Sequence, residues 1–465
     1  MHSHRFEKEY QNKLISPQEA AGLVESGMVI HLGGGASVAT IIDKYLAQRK
    51  NELEDVVVRT FIDTCEYEFL KADPDGDVFK WYSGFVLPFS RPYSQKRGIG
   101  IYTSCTWHLL PSVIRKNYHF DIVFIVCAPI DASGHFNFGL TVSEYLTLCE
   151  VSDKVVVIAR KDMPRVCGGQ EEAIHISKVD YIVEDSEFDS FCLPAAPPAE
   201  EDTKIAENII NAGLIKDGST IQIGIGGLPN SVLDILKDTG IKHCGLHTEM
   251  LTGKMLDLLE SGVVDNSLKR LDKYKTAFSF CLGSRDLYDY LDNNPSLASY
   301  AVDYINNPSV ISQQPNMFSL NSAAQIDLTG QVASEQMPGD MPFQISGTGG
   351  QLDFVMGTML SLDGNGVSVI AVYSRYNGKP KIVPLLEKGA AVTVPRSIVD
   401  HVATEWGLAS LRGLSIDQRV QALIRISHPV DRENLEKQAI EAGMLPYGNR
   451  MSSNQLPAGV LVVRP

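Results

Sequence analysis

The chain has 465 residues, too many for one ordinary core and enough for two of about 200 each. Its composition is that of a globular protein, 44% hydrophobic and 21% charged, and 41 basic against 56 acidic residues leave a net charge of −15. Nucleic acid and anionic membrane surfaces demand clustered Lys and Arg, so this balance speaks against both as partners; a phosphorylated ligand held by a few cations or backbone N–H groups stays open.

The chain begins MHSHRFEKEYQNK, a polar start without the apolar core of a secretory leader, which points to a cytoplasmic protein. His2 and His4 form a terminal pair that reads better as disorder than as a metal site. The first strong element is GLVESGMVIHLGGGASVATIIDKY, Gly22–Tyr45: a short apolar strand, a glycine-rich turn, then an amphipathic helix. Apolar, β-branched runs follow at Val56–Arg59, Ile122–Val126, Lys154–Ala159 and Tyr181–Val183, alternating with helical stretches, and predict a mostly parallel sheet covered on both faces. The most apolar run, Ile122–Ile130, is far shorter than the ~20 residues that span a bilayer. Eight cysteines without a CxxC pair read as reduced core thiols.

The pattern then repeats. GLIKDGSTIQIGIGGLPNSVLDIL, Gly213–Leu236, aligns with Gly22–Tyr45 without a gap, with identities at Gly22, Leu23, Gly27, Ile30, Gly33, Gly35 and Asp43. Pro229 suits the first position of the second helix, Val232, Leu233 and Leu236 share one face, and Gly240 suits its end. A second echo pairs API-DASGHFN, Ala128–Asn137, with AQI-DLTGQVA, Ala324–Ala333. Two motifs in the same order predict a duplicated α/β fold: tandem similar domains over 1–195 and 196–465, each a mostly parallel sheet flanked by helices. LPAAPPAEEDTK, Leu193–Lys204, suits the linker.

Ligands of such sheets bind at the carboxyl ends of the strands. Both glycine turns belong there, as does Glu249 in GLHTEML, where a buried-looking run stops and a helix-like run begins. An acid at that junction can cap a helix, grip a ribose or take part in chemistry. The turn GIGGLPN, Gly224–Asn230, offers N–H groups to an anion, but Pro229 stands where a dinucleotide fingerprint wants its third glycine. SGTGGQLDFVMG carries Gly347, Gly349 and Gly350, either a tight loop between strands or a set of N–H donors aimed at an oxyanion. Asn321 lies between apolar residues, a place usual for a turn or cap. Val394–Gly413 reads as a helix and a turn, with surface or capping roles for His401 and Glu405. With no GxSxG, no GxxxxGK[ST] and no HExxH, a carboxylate is the nucleophile left.

Together GIGGLPN, GLHTEML, LGSRDLYDY, SLNSAAQIDLTGQ, GTGGQLDFVMG and TEWGLASLRG resemble the family I coenzyme A transferases, in the branch of 4-hydroxybutyrate CoA-transferase, butyryl-CoA:acetate CoA-transferase and the acetyl-CoA hydrolase/transferases. The resemblance runs from the first glycine turn to about Gly443. It implies that Glu249 is the catalytic glutamate, that Gly224, Ile225, Gly226, Gly227 and Leu228 contact CoA with the Ile225 N–H as one oxyanion donor, and that Gly347, Gly349 and Gly350 supply the other. It further implies Asn321 near the thioester and Lys379 or Lys381 at a CoA phosphate. The implied reaction moves CoA between a short-chain acyl-CoA and a carboxylate, 4-hydroxybutyrate or butyrate with acetate, through a glutamyl-CoA thioester. CoA is then a substrate, no cofactor is permanently bound, no metal takes part, and the expected assembly is a homodimer. Acyl-CoA hydrolysis is the neighbouring alternative; a nicotinamide-dependent oxidoreductase and a non-catalytic CoA- or acid-binding module are the remote ones. A dicarboxylate would need a further cation, for which Arg285 and Arg375 are the candidates. In the first half, Phe61 of VVVRTF falls opposite Glu249.

Overall fold

A computed structural model of the protein describes residues 4–95, 101–169, 171–194, 197–445 and 458–463; His2 lies outside them. The β-branched runs form strands where expected. In the first half these are Val29–Gly34 (β1), Val56–Phe61 (β2), Phe79–Ser83 (β3), Ile101–Tyr102 (β4), Phe120–Cys127 (β5), Ser152–Arg160 (β6) and Tyr181–Asp185 (β7). They make one seven-stranded sheet in the order β4-β3-β2-β1-β5-β6-β7, parallel at every pairing. The inner strand β5 is buried along almost its whole length, which is why its sequence is apolar without alternation.

The second half builds a sheet of the same size from Thr220–Ile223 (β8), Gly245–Leu246 (β9), Phe318–Ser322 (β10), Val367–Ala371 (β11), His401–Thr404 (β12), Gly407–Ser410 (β13) and Val460–Val463 (β14). Its order is β9-β8-β10-β11-β12-β13-β14, parallel as far as β12 and antiparallel beyond. The duplication is visible in the register. Val29 pairs with Val57 and Ile30 with Val58; Thr220 pairs with Gly245 and Ile221 with Leu246. The β2–β9 correspondence this sets, carried three residues on, brings Phe61 opposite Glu249. The second echo is one hydrogen-bonded turn made twice. Asp131 accepts from the N–H groups of Ser133 and His135 and the Ser133 hydroxyl. Asp327 accepts from the N–H groups of Thr329 and Gln331 and the Thr329 hydroxyl.

Several local expectations are corrected. Pro229 is the third residue of the helix Gly227–Lys237, not the first; its missing N–H is harmless there too, since the first turn of any helix has no intrahelical partners for its donors. That helix stops at Lys237, before Gly240. The acidic end of the expected linker is the first turn of a helix, Glu200–Asn211, where Glu200, Glu201 and Asp202 complement the helix dipole. Val394–Gly413 forms the antiparallel hairpin β12–β13 instead of a helix. His401 and Glu405 are buried in it, Glu405 accepting from the N–H and hydroxyl of Ser374.

The two sheets do not stand apart. Residues between β9 and β10 lean on the first half through bridges Thr141–Phe280, Ser143–Ala301 and Gly168–Ser299. One continuous apolar cluster runs from Ile30 and Phe124 through Phe280 to Leu320 and Val369.

Candidate active site

Glu249 sits three residues beyond β9, at the carboxyl edge of the second sheet. The helix expected directly after it begins at Gly253; the short strand Met250–Thr252 comes first and pairs with Phe280–Leu282. The backbone here is pinned from several sides. The Glu249 carbonyl accepts from the N–H groups of Ser279 and Phe280, the Thr248 N–H donates to Ala277 O, and the His247 ring bonds the Ile305 carbonyl at 2.8 Å. His247 is buried, which pushes its pKa down to about 4 and keeps it neutral.

The Glu249 side chain opens into a cavity of about 360 Å3. Its polar wall is Gly224, Ile225, Asn321 and the loop Ser346–Gln351; its apolar wall includes Ile62, Phe85, Trp107 and Phe280. Gly226, Gly227 and Leu228 line a second cleft of about 230 Å3 that shares Ile225 and Ser322 with the first. Of the residues singled out in the sequence, Glu249, Gly224, Ile225, Asn321, Gly347, Gly349 and Gly350 therefore meet in one cavity, and the rest of the GIGGL turn lines its neighbour. Lys379 and Lys381 line neither. They lie on the hairpin that follows Tyr373, a residue of the second cleft; Lys379 is exposed and the Lys381 ammonium lies 5.8 Å from the Tyr376 ring centre.

The glycine loop ends in the helix Gln351–Met359, so its last N–H groups point from a helix start. Gly350 donates its N–H to the Glu249 carboxylate. A Cβ at residue 350 would overlap Glu249 Oε2 and Asn306 Nδ2 and so push both groups from their places. Asn306, absent from the sequence reading, donates to Glu249 Oε2 at 2.5 Å. Asn321 bonds Gln222 at 3.3 Å and forms cavity wall rather than a partner of the carboxylate. Only the position of Asn306 at the end of a short helix betrays it, and a lone Asn there reads as a cap. Burial and the neighbouring Asp353 push the Glu249 pKa up to about 8, against the pull of Asn306 and the Gly350 N–H.

Arg285 and Arg375 do not enter the cavity: Arg285 pairs with Asp162 at 2.8 Å, and Arg375 with Asp431 at 3.4 Å. Arg91 of the first half does, its Nε donating to Ile345 O at 2.7 Å. Among the described residues no cluster of three His, Cys, Asp or Glu side chains has metal-ligand geometry, and no helix is long and apolar enough to cross a membrane.

An acid beyond a strand end, facing two glycine loops across a cavity that shares Ile225 and Ser322 with a second cleft, is the layout of an acyl-transfer site. The profile of the acetyl-CoA hydrolase/transferase N-terminal domain matches residues 1–194 and that of the C-terminal domain residues 283–439. The chain is 36% identical over 447 residues to a probable butyrate:acetyl-CoA coenzyme A-transferase of Syntrophomonas wolfei, covering 96% of this chain and 98% of that one. It is 34% identical to the 4-hydroxybutyrate coenzyme A transferase of Clostridium kluyveri, over 92% and 98% of the two chains. The crystal structure of RipA from Yersinia pestis superposes with a TM-score of 0.84 at 32% identity, over 94% and 99% of the chains. The chain belongs to the acetyl-CoA hydrolase/transferase family and is a CoA-transferase.

Proposed function

We propose that the protein moves CoA between a short-chain acyl-CoA and a short carboxylate, butyrate or 4-hydroxybutyrate with acetate, with Glu249 as the nucleophile. The observation that carries this is Glu249 in the cavity, held by Asn306 and the Gly350 N–H and facing both glycine loops. Its carboxylate attacks the thioester carbonyl and expels CoA thiolate, leaving a mixed glutamyl anhydride. The thiolate attacks the glutamyl carbonyl, releases the first acid and leaves a glutamyl-CoA thioester. A second acid reverses the two steps.

Each attack passes through a tetrahedral oxyanion, for which the N–H groups of Ile225 and Gly350 are the donors in this reading; one such donor contributes about 3 kcal/mol. Gly224, Gly226, Gly227, Leu228, Gly347 and Gly349 let CoA approach the backbone closely, Asn321 lies near the thioester, and Lys379 or Lys381 meets a CoA phosphate. The two adjacent clefts suit a long thin ligand, and the aromatic wall suits a short acyl chain and the exclusion of water, to which both intermediates are labile. A homodimer in the cytoplasm goes with the family resemblance; sedimentation reads the assembly.

The test is to incubate the protein with acyl-CoA, reduce with borohydride and locate the modified peptide by mass. Reduction at residue 249 is expected, and a Glu249→Ala variant with normal turnover would sink the covalent mechanism. Acyl-CoA loss in the absence of any added acid would favour hydrolysis over transfer. A panel of acetate, butyrate, 4-hydroxybutyrate and succinate reads the acid.

A further inference from the structure

Behind Glu249 runs a chain of hydrogen bonds that ends in the first half of the molecule. Asn306, fully buried, donates to Glu249 Oε2 at 2.5 Å and more loosely to Asp353 Oδ2 at 3.4 Å. Asp353 is also fully buried, in the first turn of the helix Gln351–Met359. It accepts from the Thr106 hydroxyl, from the His108 N–H at 3.0 Å and from the His108 ring Nδ1 at 2.7 Å. An ionised carboxylate only accepts, so Nδ1 carries the proton in this contact. Three groups of the first half thus converge on one buried acid of the second, one residue pair removed from the nucleophile.

The arrangement has an electrostatic consequence. Two carboxylates share one amide, and like charges so placed oppose each other's ionisation. The His108 ring and N–H, with the Thr106 hydroxyl, occupy Asp353 oxygens that would otherwise draw the Asn306 amide. The other titratable groups nearby are engaged or neutral. Asp303 and Arg115, on helices packed against the His108 turn, face each other at 4.0 Å; Tyr304 bonds Asp272; Cys105 beside Asp353 has its pKa pushed up to about 11; His247 is kept neutral by burial; Arg91 lines the cavity itself.

We propose that His108 is a positioning residue for CoA transfer: its backbone N–H and ring donate to Asp353, occupy that carboxylate and so leave the Asn306 amide aimed at Glu249. This rests on the reading of Glu249 as the nucleophile, and the experiment separates the two.

The pH dependence of kcat is measured at saturating acyl-CoA and acid on the full chain, alongside borohydride trapping at residue 249. His108→Ala removes the ring donor and lets Asp353 draw the Asn306 amide away from Glu249, whose carboxylate that amide favours; the variant's acid limb moves to higher pH by about half a unit to one unit and its plateau falls about tenfold. His108→Asn keeps a donor for Asp353; its plateau returns to within about threefold of wild type and its limb moves back toward wild type. Asp353→Asn removes the opposing charge and moves the limb to lower pH by about one unit. Opposite displacements at two neighbouring residues are not what loss of packing produces. If the limbs of all variants coincide with wild type, whatever their plateaus, the pair is structural only and the proposal falls. Should Asp353→Asn not yield folded protein, the two His108 variants decide it. Wild type that traps nothing at residue 249 overturns the nucleophile assignment; trapped enzyme with unmoved limbs overturns only the role of His108.

Discussion

Glu249 is held in a setting that opposes its own charge. Its folded-state pKa of about 8 stands well above the ordinary 4.5, with burial the first cause and Asp353 adding to it. Between those two values the folded chain keeps a proton that the unfolded chain has lost. Stability contributed by this group therefore falls as pH rises from about 4.5 to about 8 and is level above that. Glu249→Gln removes the effect, so the variant should unfold at higher denaturant than wild type at pH 9, by roughly 2–4 kcal/mol, and the gain should vanish near pH 5. Urea titrations at the two pH values check it, with mass analysis to show that the introduced amide has not deamidated. Activity carries the opposite sign: kcat/KM should climb through a limb near pH 8 as the carboxylate forms. Gly350 makes a sharper residue-scale case. Gly350→Ala puts a methyl where Glu249 Oε2 and Asn306 Nδ2 already meet, and a shift of about 1 Å in a reacting group costs about 100-fold. A circular dichroism spectrum like wild type with kcat down at least that far is the expected result.

At the scale of elements, the glycine loop is held from both halves: Glu335 O accepts from the Ile345 and Ser346 N–H groups, and residues 84–94 and 102–109 of the other half bind it as well. The Trp107 N–H donates to Gly349 O at 3.3 Å, Arg91 to Ile345 O and Ser94 to Gln344 O, and the Thr348 N–H donates to the Tyr102 hydroxyl at 2.8 Å. Phe85 packs so closely on the loop that a Cβ at Gly349 would stand 3.0 Å from its ring. In the proposed reaction this clamp closes the wall that keeps water from the glutamyl intermediates. Tyr102→Phe leaves the Thr348 N–H without its acceptor, a cost of about 1–3 kcal/mol. The expected result is a higher ratio of hydrolysis to transfer, read as acyl-CoA loss without added acid; an unchanged ratio would mean the clamp does not exclude water. Of these elements the strands and the first-half glycine helix were legible in the sequence, because buried parallel strands are apolar throughout. The hairpin β12–β13 was not: short apolar runs such as IVDHVA and GLASL fit a helix or a strand, and only pairing with β11 decides between them.

At the scale of the whole molecule, the two sheets share one large apolar cluster, while a second, around Ile326, Val402 and Leu423, belongs to the second half alone. Trp107 of the first half meets Phe280 of the second edge-on, 5.5 Å between ring centres, and the apolar cluster around them crosses from one sheet to the other. Interfaces of that kind couple unfolding. Calorimetry should show one transition whose van't Hoff and calorimetric enthalpies agree within about 20%; two resolved transitions would mean the halves melt independently. The same joint explains the site. The second half brings Glu249 and both glycine loops, while the first half brings Ile62, Phe85, Leu87, Arg91 and Trp107 to the cavity. The position equivalent to Glu249 in the first half is Phe61, whose ring packs against Gly84, next to that clamp.

What the sequence by itself determined is whatever is written in local pattern: the α/β class, the internal repeat, the glycine turns, and one acid at one strand end without a counterpart in the other copy. Tertiary structure alone decided which groups stand around that acid. Asn306, Asp353 and His108 come from three separate stretches of chain, and each alone looks like a cap, a helix-start acid or a surface imidazole. Their spacing along the chain carries no period, so no local signal joins them. They meet because the loop–helix unit at Gly350 and the 106–108 turn of the other half are packed against the same strand end.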